Sequence, residues 1–159
     1  MIPKAVADIE KGIILAVADI SMSPERVFSA LTVPAEIEYW WGADDVYHMT
    51  DWKQDFRVGG GYTVNVRRPE GNILPASGKF LVIDPSHQLV HTRKYEWDFP
   101  VLGRRETTIA YRLDRIASGT RVTVRHEGFL DCSDAAYEHA AGWERVLGWL
   151  EDYGSHYLL

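Results

Sequence analysis

Apolar and polar positions change their period twice along this chain. Residues 8–20 are β-branched and apolar with charges at both ends, which predicts one long first strand. Ser23-Pro24-Glu25 then reads as a helix start, with Ser as N-cap, Pro at the first helical position and Glu in the first turn. That helix carries Val27, Phe28 and Leu31 on one face. Val33-Pro34-Ala35-Glu36 restarts a second short helix, which runs into Tyr39-Trp40-Trp41 and stops at Gly42. From about residue 45 to 127 the period becomes two. Phe56-Arg57-Val58 is a short strand that meets Gly59-Gly60-Gly61, after which Tyr62, Val64 and Val66 alternate with polar neighbours. Pro69-Glu70-Gly71-Asn72 is a turn, strands follow at 78–84 and 89–98, and 99–103 is a loop. Thr107, Ile109, Tyr111 and Leu113 share one strand face, and Val122, Val124 and His126 share the last one.

Helical spacing returns at 134–157. Ala136, His139/Ala140, Trp143, Val146/Leu147, Leu150, Tyr153 and Tyr157 form one apolar stripe, with Glu138, Glu144, Arg145, Glu151 and Asp152 opposite. The expected fold is α+β: one strand, two short helices, a meander of about six strands, then one long helix. Short turns between strands make the sheet antiparallel, six to seven strands in all. A twisted sheet with one apolar face wraps around such a helix and leaves room for a cavity between them.

Composition narrows the function classes. The 159 residues, read as one domain over 1–159, carry 46% apolar and 25% charged residues, within the globular range. Lys plus Arg is 17 against 23 Asp plus Glu, a net charge of −6, which disfavours nucleic acid as a partner. A single Cys132 forms neither an internal disulfide nor a cysteine-based zinc site. The start shows no signal-peptide core, and the longest uncharged apolar run, 12–18, is too short for a membrane span. A cytoplasmic protein without a membrane partner is expected. The one unusual count is aromatic: six Trp, eight Tyr and five Phe.

Several segments carry a resemblance. Ser23-Pro24-Glu25-Arg26-Val27-Phe28 with Ala30-Leu31-Thr32, then Trp40-Trp41-Gly42, resembles the START-like (SRPBCC, helix-grip) superfamily. Phe56-Arg57-Val58-Gly59-Gly60, Gly78-Lys79-Phe80, Ile83-Asp84-Pro85 and Leu89-Val90-His91-Thr92 point to one branch. So do the run from Gly119 to Phe129 and His139 with Gly142-Trp143 and Leu147. The branch is the homologues of the C-terminal domain of the heat-shock protein ATPase activator, matched in order over about residues 10–155. The resemblance implies a helix-grip fold with a cavity between sheet and helix. Relatives in the superfamily carry lipids, sterols, polyketides or plant hormones there, some catalyse cyclisation or dehydration, and the namesake domain binds the chaperone. Tyr47-His48-Met49-Thr50-Asp51-Trp52 departs from the pattern, being bulkier and more polar than a plain strand, and would alter the cavity rim.

Trp40, Trp41, Trp52, Tyr62, Tyr95, Trp97, Tyr111 and Trp143 lie on or beside the elements that would wall this space, as does Leu147 of the helix stripe. Aromatic walls with a few polar tips describe a pocket for a small apolar or aromatic molecule, or else a core packed with Trp. His126 and His139 point inward, either as proton-transferring or ligand-orienting imidazoles or as hydrogen-bonded core histidines, one of them seating Trp143. His48 with Asp51 is a further acid–base pair at the rim, or plain loop polarity. Arg93 alternates with Leu89, His91, Tyr95 and Trp97 on a strand whose two faces are both mixed, so its register is open. Turned inward, Arg93 requires a carboxylate or an anionic ligand. No Gly-x-Ser-x-Gly elbow, His-Glu-x-x-His or phosphate-binding glycine pattern occurs, His126 and Glu127 point to opposite faces of a strand, and no metal or cofactor is expected. Three function classes follow: small-molecule binding, a chaperone-associated or other protein-interaction role, and cyclase- or dehydratase-like acid–base catalysis. The second would show an exposed apolar patch, which would equally serve a homodimer.

Overall fold

Residues 4–20 form a hairpin where the apolar pattern predicts one long strand over 8–20. In this structure, a computed structural model describing residues 2–98 and 102–157 (the last by its backbone), β1 (Lys4–Asp8) pairs antiparallel with β2 (Ile13–Ile20). Asp8 Oδ1 accepts the Lys11 N–H at 3.2 Å inside the turn. Gly12 completes it at φ +66°, where a Cβ would meet the Leu130 backbone nitrogen at 2.3 Å. Ile9 is half-exposed in that turn, and its apolar side chain masks the turn in the pattern. The two short helices therefore follow the second strand.

α1 (Pro24–Thr32) starts as its residues predict: Ser23 Oγ accepts the Arg26 N–H at 3.2 Å, and Val27, Phe28 and Leu31 are buried. α2 (Pro34–Trp40) restarts on Pro34, and the Trp40 indole donates to the Ala30 carbonyl at 2.8 Å. Then come β3 (Gly42–Ala43), β4 (Tyr47–Gln54), β5 (Gly61–Arg67), β6 (Ile73–Asp84), β7 (Gln88–Tyr95), β8 (Thr107–Ile116), β9 (Gly119–Glu127) and α3 (Ser133–Tyr157). The expected strand at Phe56-Arg57-Val58 is a loop, and β6 begins five residues earlier than expected. Of the expected loop at 99–103, residues Phe99, Pro100 and Val101 lie outside the described residues, as does the Tyr157 side chain of the helix stripe. The Glu36 carboxylate accepts Arg26 Nη2 at 2.8 Å, Ser29 Oγ at 2.6 Å and Tyr153 Oη at 2.8 Å, tying α1, α2 and α3 together.

The strands form one curved antiparallel sheet in the order β1-β2-β9-β8-β7-β6-β5-β4-β3. Nine strands rather than six or seven result from the split first strand and the two-residue β3. A bulge between Thr50 and Lys53, with Asp51 at φ 52°, and another between Phe80 and Val82 interrupt the ladders at the β4–β7 side. α3 lies close on β1 and β2, where Ala16 and Ala18 face it. Its Ala136, Trp143, Val146, Leu147 and Leu150 are buried in the same core as Val122, Val124, Ile109, Tyr111 and Leu113. No helix among the described residues is long and apolar enough to cross a membrane.

Candidate ligand-binding cavity

A cavity of about 270 Å3 lies between α3 and the β4–β7 side of the sheet. Its floor comes from the β5–β6 hairpin, where Val64 pairs with Ala76 and Val66 with Leu74, all four lining the space. Met49 and Tyr47 extend that wall from β4, and Trp41, at the exit of α2, closes one side. The Trp41 indole points to Tyr47 Oη at 3.3 Å, and its ring meets Trp143 edge-on at 6.1 Å. The facing wall belongs to α3: His139, Gly142, Trp143 and Val146 follow one another at helical spacing. Gly142 leaves the wall open, because a Cβ there would meet only the Arg145 guanidinium tip at 3.8 Å.

Two histidines brace this wall. The Trp143 indole N–H donates to His126 Nδ1 at 3.0 Å, so the neutral ring carries its proton on Nε2 and gives it to Thr107 Oγ1 at 2.8 Å. Thr107 Oγ1 in turn donates to the Arg93 carbonyl at 3.3 Å. His139 Nδ1 donates to the Ala135 carbonyl at 2.8 Å, and its Nε2 accepts the Tyr95 hydroxyl proton at 2.9 Å. Burial lowers the pKa of both rings, that of His139 to about 4 and that of His126 well below the ordinary value, with the Arg93 charge adding to it. Both imidazoles are therefore neutral at pH 7, and each uses both nitrogens within the protein. Burial also pushes the Tyr95 phenol up to about 12.

Register settles Arg93. Leu89, His91 and Arg93 are all buried on the inner face of β7, and Arg93 lines the cavity with its side chain only 7% exposed. Its guanidinium carbon sits 5.4 Å from the Trp41 ring centre. Burial works against its charge, yet the guanidinium keeps it: its pKa stands above the ordinary value, with the hydroxyls of Tyr62, Tyr95 and Tyr111 beside it.

A protein-family model described as activator of Hsp90 ATPase homolog 1-like protein matches residues 21–154. The chain belongs to that family. No curated protein matches it. Among solved structures, a protein from Rhodobacter sphaeroides is similar at 22% identity and a TM-score of 0.79, covering 94% of this chain and 97% of its own. One from Chromobacterium violaceum is similar at 19% identity and 0.78, over 90% and 97%. The AHSA1 protein of Silicibacter pomeroyi is similar at 20% and 0.73, over 89% and 96%. At these identities the likeness shows the fold, which is that of the START-like superfamily.

In this member of the activator-homologue family the predicted aromatic residues separate by place. Trp41, Arg93, Tyr95, Trp97, His126, His139 and Trp143 meet at the cavity. Trp40 is buried against α1, and Trp52 stacks on Tyr62 at 4.8 Å, beyond the floor. Tyr62 donates to the Thr92 carbonyl at 2.8 Å, Tyr111 stands edge-on to Trp143 at 5.8 Å, and Leu147 is buried in the core. His48 bonds Asp44 at 2.8 Å, while Asp51 takes the Asn65 amide at 3.2 Å, so the rim pair does not form. Reading for aromatic residues misses Met49, Val64, Val66, Leu74, Gly142 and Val146, which give the cavity its apolar surface. The glycine next to Trp143 on a helix stripe is the signal that would have found the opening. Among the described residues no cluster of His, Cys, Asp or Glu is arranged to hold a metal.

Proposed function

We propose that this protein binds a small aromatic or apolar molecule in the cavity between the β4–β7 side of the sheet and α3. The observation that carries the reading is the open wall at Gly142: a helix stripe otherwise built of buried apolar side chains leaves about 270 Å3 unfilled beside Trp41 and Trp143. Close packing is the ordinary state of a core, and a void forfeits contacts on every side, so an apolar ligand would restore them. An apolar cavity of about 150 Å3 takes a benzene ring, which makes the space here fit for one ring or two fused ones.

Native mass spectrometry of the protein purified from its own host tests this, beside a Gly142→Leu variant that fills the space. The expected result is a small-molecule mass on the wild-type protein that denaturation releases and that the variant lacks. An equal added mass on both, or none on either, would overturn the reading.

A further inference from the structure

Arg93 is a full positive charge set among rings. Of the charged side chains that line the cavity it alone is more than nine-tenths buried; Arg68, Glu138 and Arg145 are exposed at the rim. Its Nε and Nη2 are covered by protein and donate no hydrogen bond, the Tyr62 and Tyr95 hydroxyls beside the group are neutral, and no carboxylate among the described residues pairs with it. Contact with the Trp41 ring recovers only part of the cost of burying a charge. His126 and His139, the titratable groups nearest on β9 and α3, are neutral and bring no counter-charge. Two of the three rim charges are positive, which favours the entry of an anion.

We propose that the ligand is an aromatic carboxylate, its ring against Val64, Val66 and Trp143 and its carboxylate on Arg93. This rests on the cavity being the binding site and adds the charge of its occupant. One guanidinium balances one carboxylate and leaves no net charge in the apolar space, whereas a phosphate dianion would carry in a second, unbalanced charge.

Calorimetric titration of three acid–amide pairs (benzoate and benzamide, phenylacetate and phenylacetamide, 2-naphthoate and 2-naphthamide) into the wild-type protein and Arg93→Met tests it. The acid of at least one pair is expected to bind the wild-type protein about ten- to a hundredfold more tightly than its amide, the range of a charge-assisted hydrogen bond. That preference is expected to vanish in Arg93→Met. Amides that bind as tightly as their acids, or acids that keep their advantage in Arg93→Met, would overturn the carboxylate and leave the cavity reading standing. No binding by any of the six compounds would remove both. Should Arg93→Met fail to fold, the acid-to-amide ratio in the wild-type protein decides alone.

Discussion

At the scale of single residues, the cavity wall is held by a relay whose direction follows from donor chemistry. An indole nitrogen only donates, so Trp143 fixes the tautomer of His126, and His126 then requires an acceptor, which Thr107 supplies. Thr107→Val keeps the shape and removes that acceptor, leaving a buried N–H unpaired. Urea unfolding should show a loss of about 1–3 kcal/mol; an unchanged midpoint would mean that the relay carries no weight. Arg93→Met is expected to act in the opposite sense on the empty protein, because it replaces an unpaired buried cation with an apolar side chain. Its thermal midpoint should equal or exceed that of the wild-type protein, and a clear fall would show that the charge is satisfied in place.

At the scale of elements, α3 both closes the core and opens the cavity. It lies close on β1 and β2, where Glu144 accepts the Ala5 N–H, while Gly142 leaves room on the β4–β7 side. Glycine inside a helix is about 1 kcal/mol worse than alanine, and a Cβ at 142 has room, so Gly142→Ala should stabilise by up to that amount in a denaturant titration. A loss instead would mean that the helix needs the glycine for its own backbone. The elements themselves were legible wherever local chemistry marks them. Ser23-Pro24-Glu25 caps α1 with its own side chain, and the stripe from Ala136 to Leu150 is buried as its spacing predicts. The β1–β2 turn was not legible, because apolar Ile9 interrupts the polar run of Asp8, Glu10, Lys11 and Gly12 that forms it. Nor was the cavity's place along a strand. Tyr62, Val64 and Val66 share one face of β5, yet only the two valines reach the space, a division made by the Trp52 and His91 rings packed on Tyr62 and not by the alternation. The orientation of Arg93 was open for the same reason: both faces of β7 are mixed, and the pairing with β6 and β8 settles which is inside.

At the scale of the whole molecule, two buried histidines and a half-buried one couple folding to pH. Burial holds His91 at about 3, His139 at about 4 and His126 well below its ordinary value, each helped by the Arg93 charge. Unfolded, each takes up a proton below about pH 6.5, while folded it does not until its lowered pKa is reached. The unfolded state thus binds more protons in that window, and stability falls as pH drops from about 6.5 toward 4, by roughly 1 kcal/mol per pH unit for each histidine. Unfolding midpoints at pH 7.5, 6 and 5 should be flat above 6.5 and fall below it; equal midpoints at 7.5 and 5 would contradict this burial. The aromatic surplus finally divides by function. Trp41, Trp97 and Trp143 line the cavity, whereas Trp40, Trp52 and Trp149 do not. One nitrogen–proton correlation spectrum of the indole groups, recorded with and without the acid of the three that binds most tightly, reads all six at once. The signals of Trp41, Trp97 and Trp143 should move while those of Trp40, Trp52 and Trp149 stay; movement confined to the second set, or none at all, would rule out binding in this cavity.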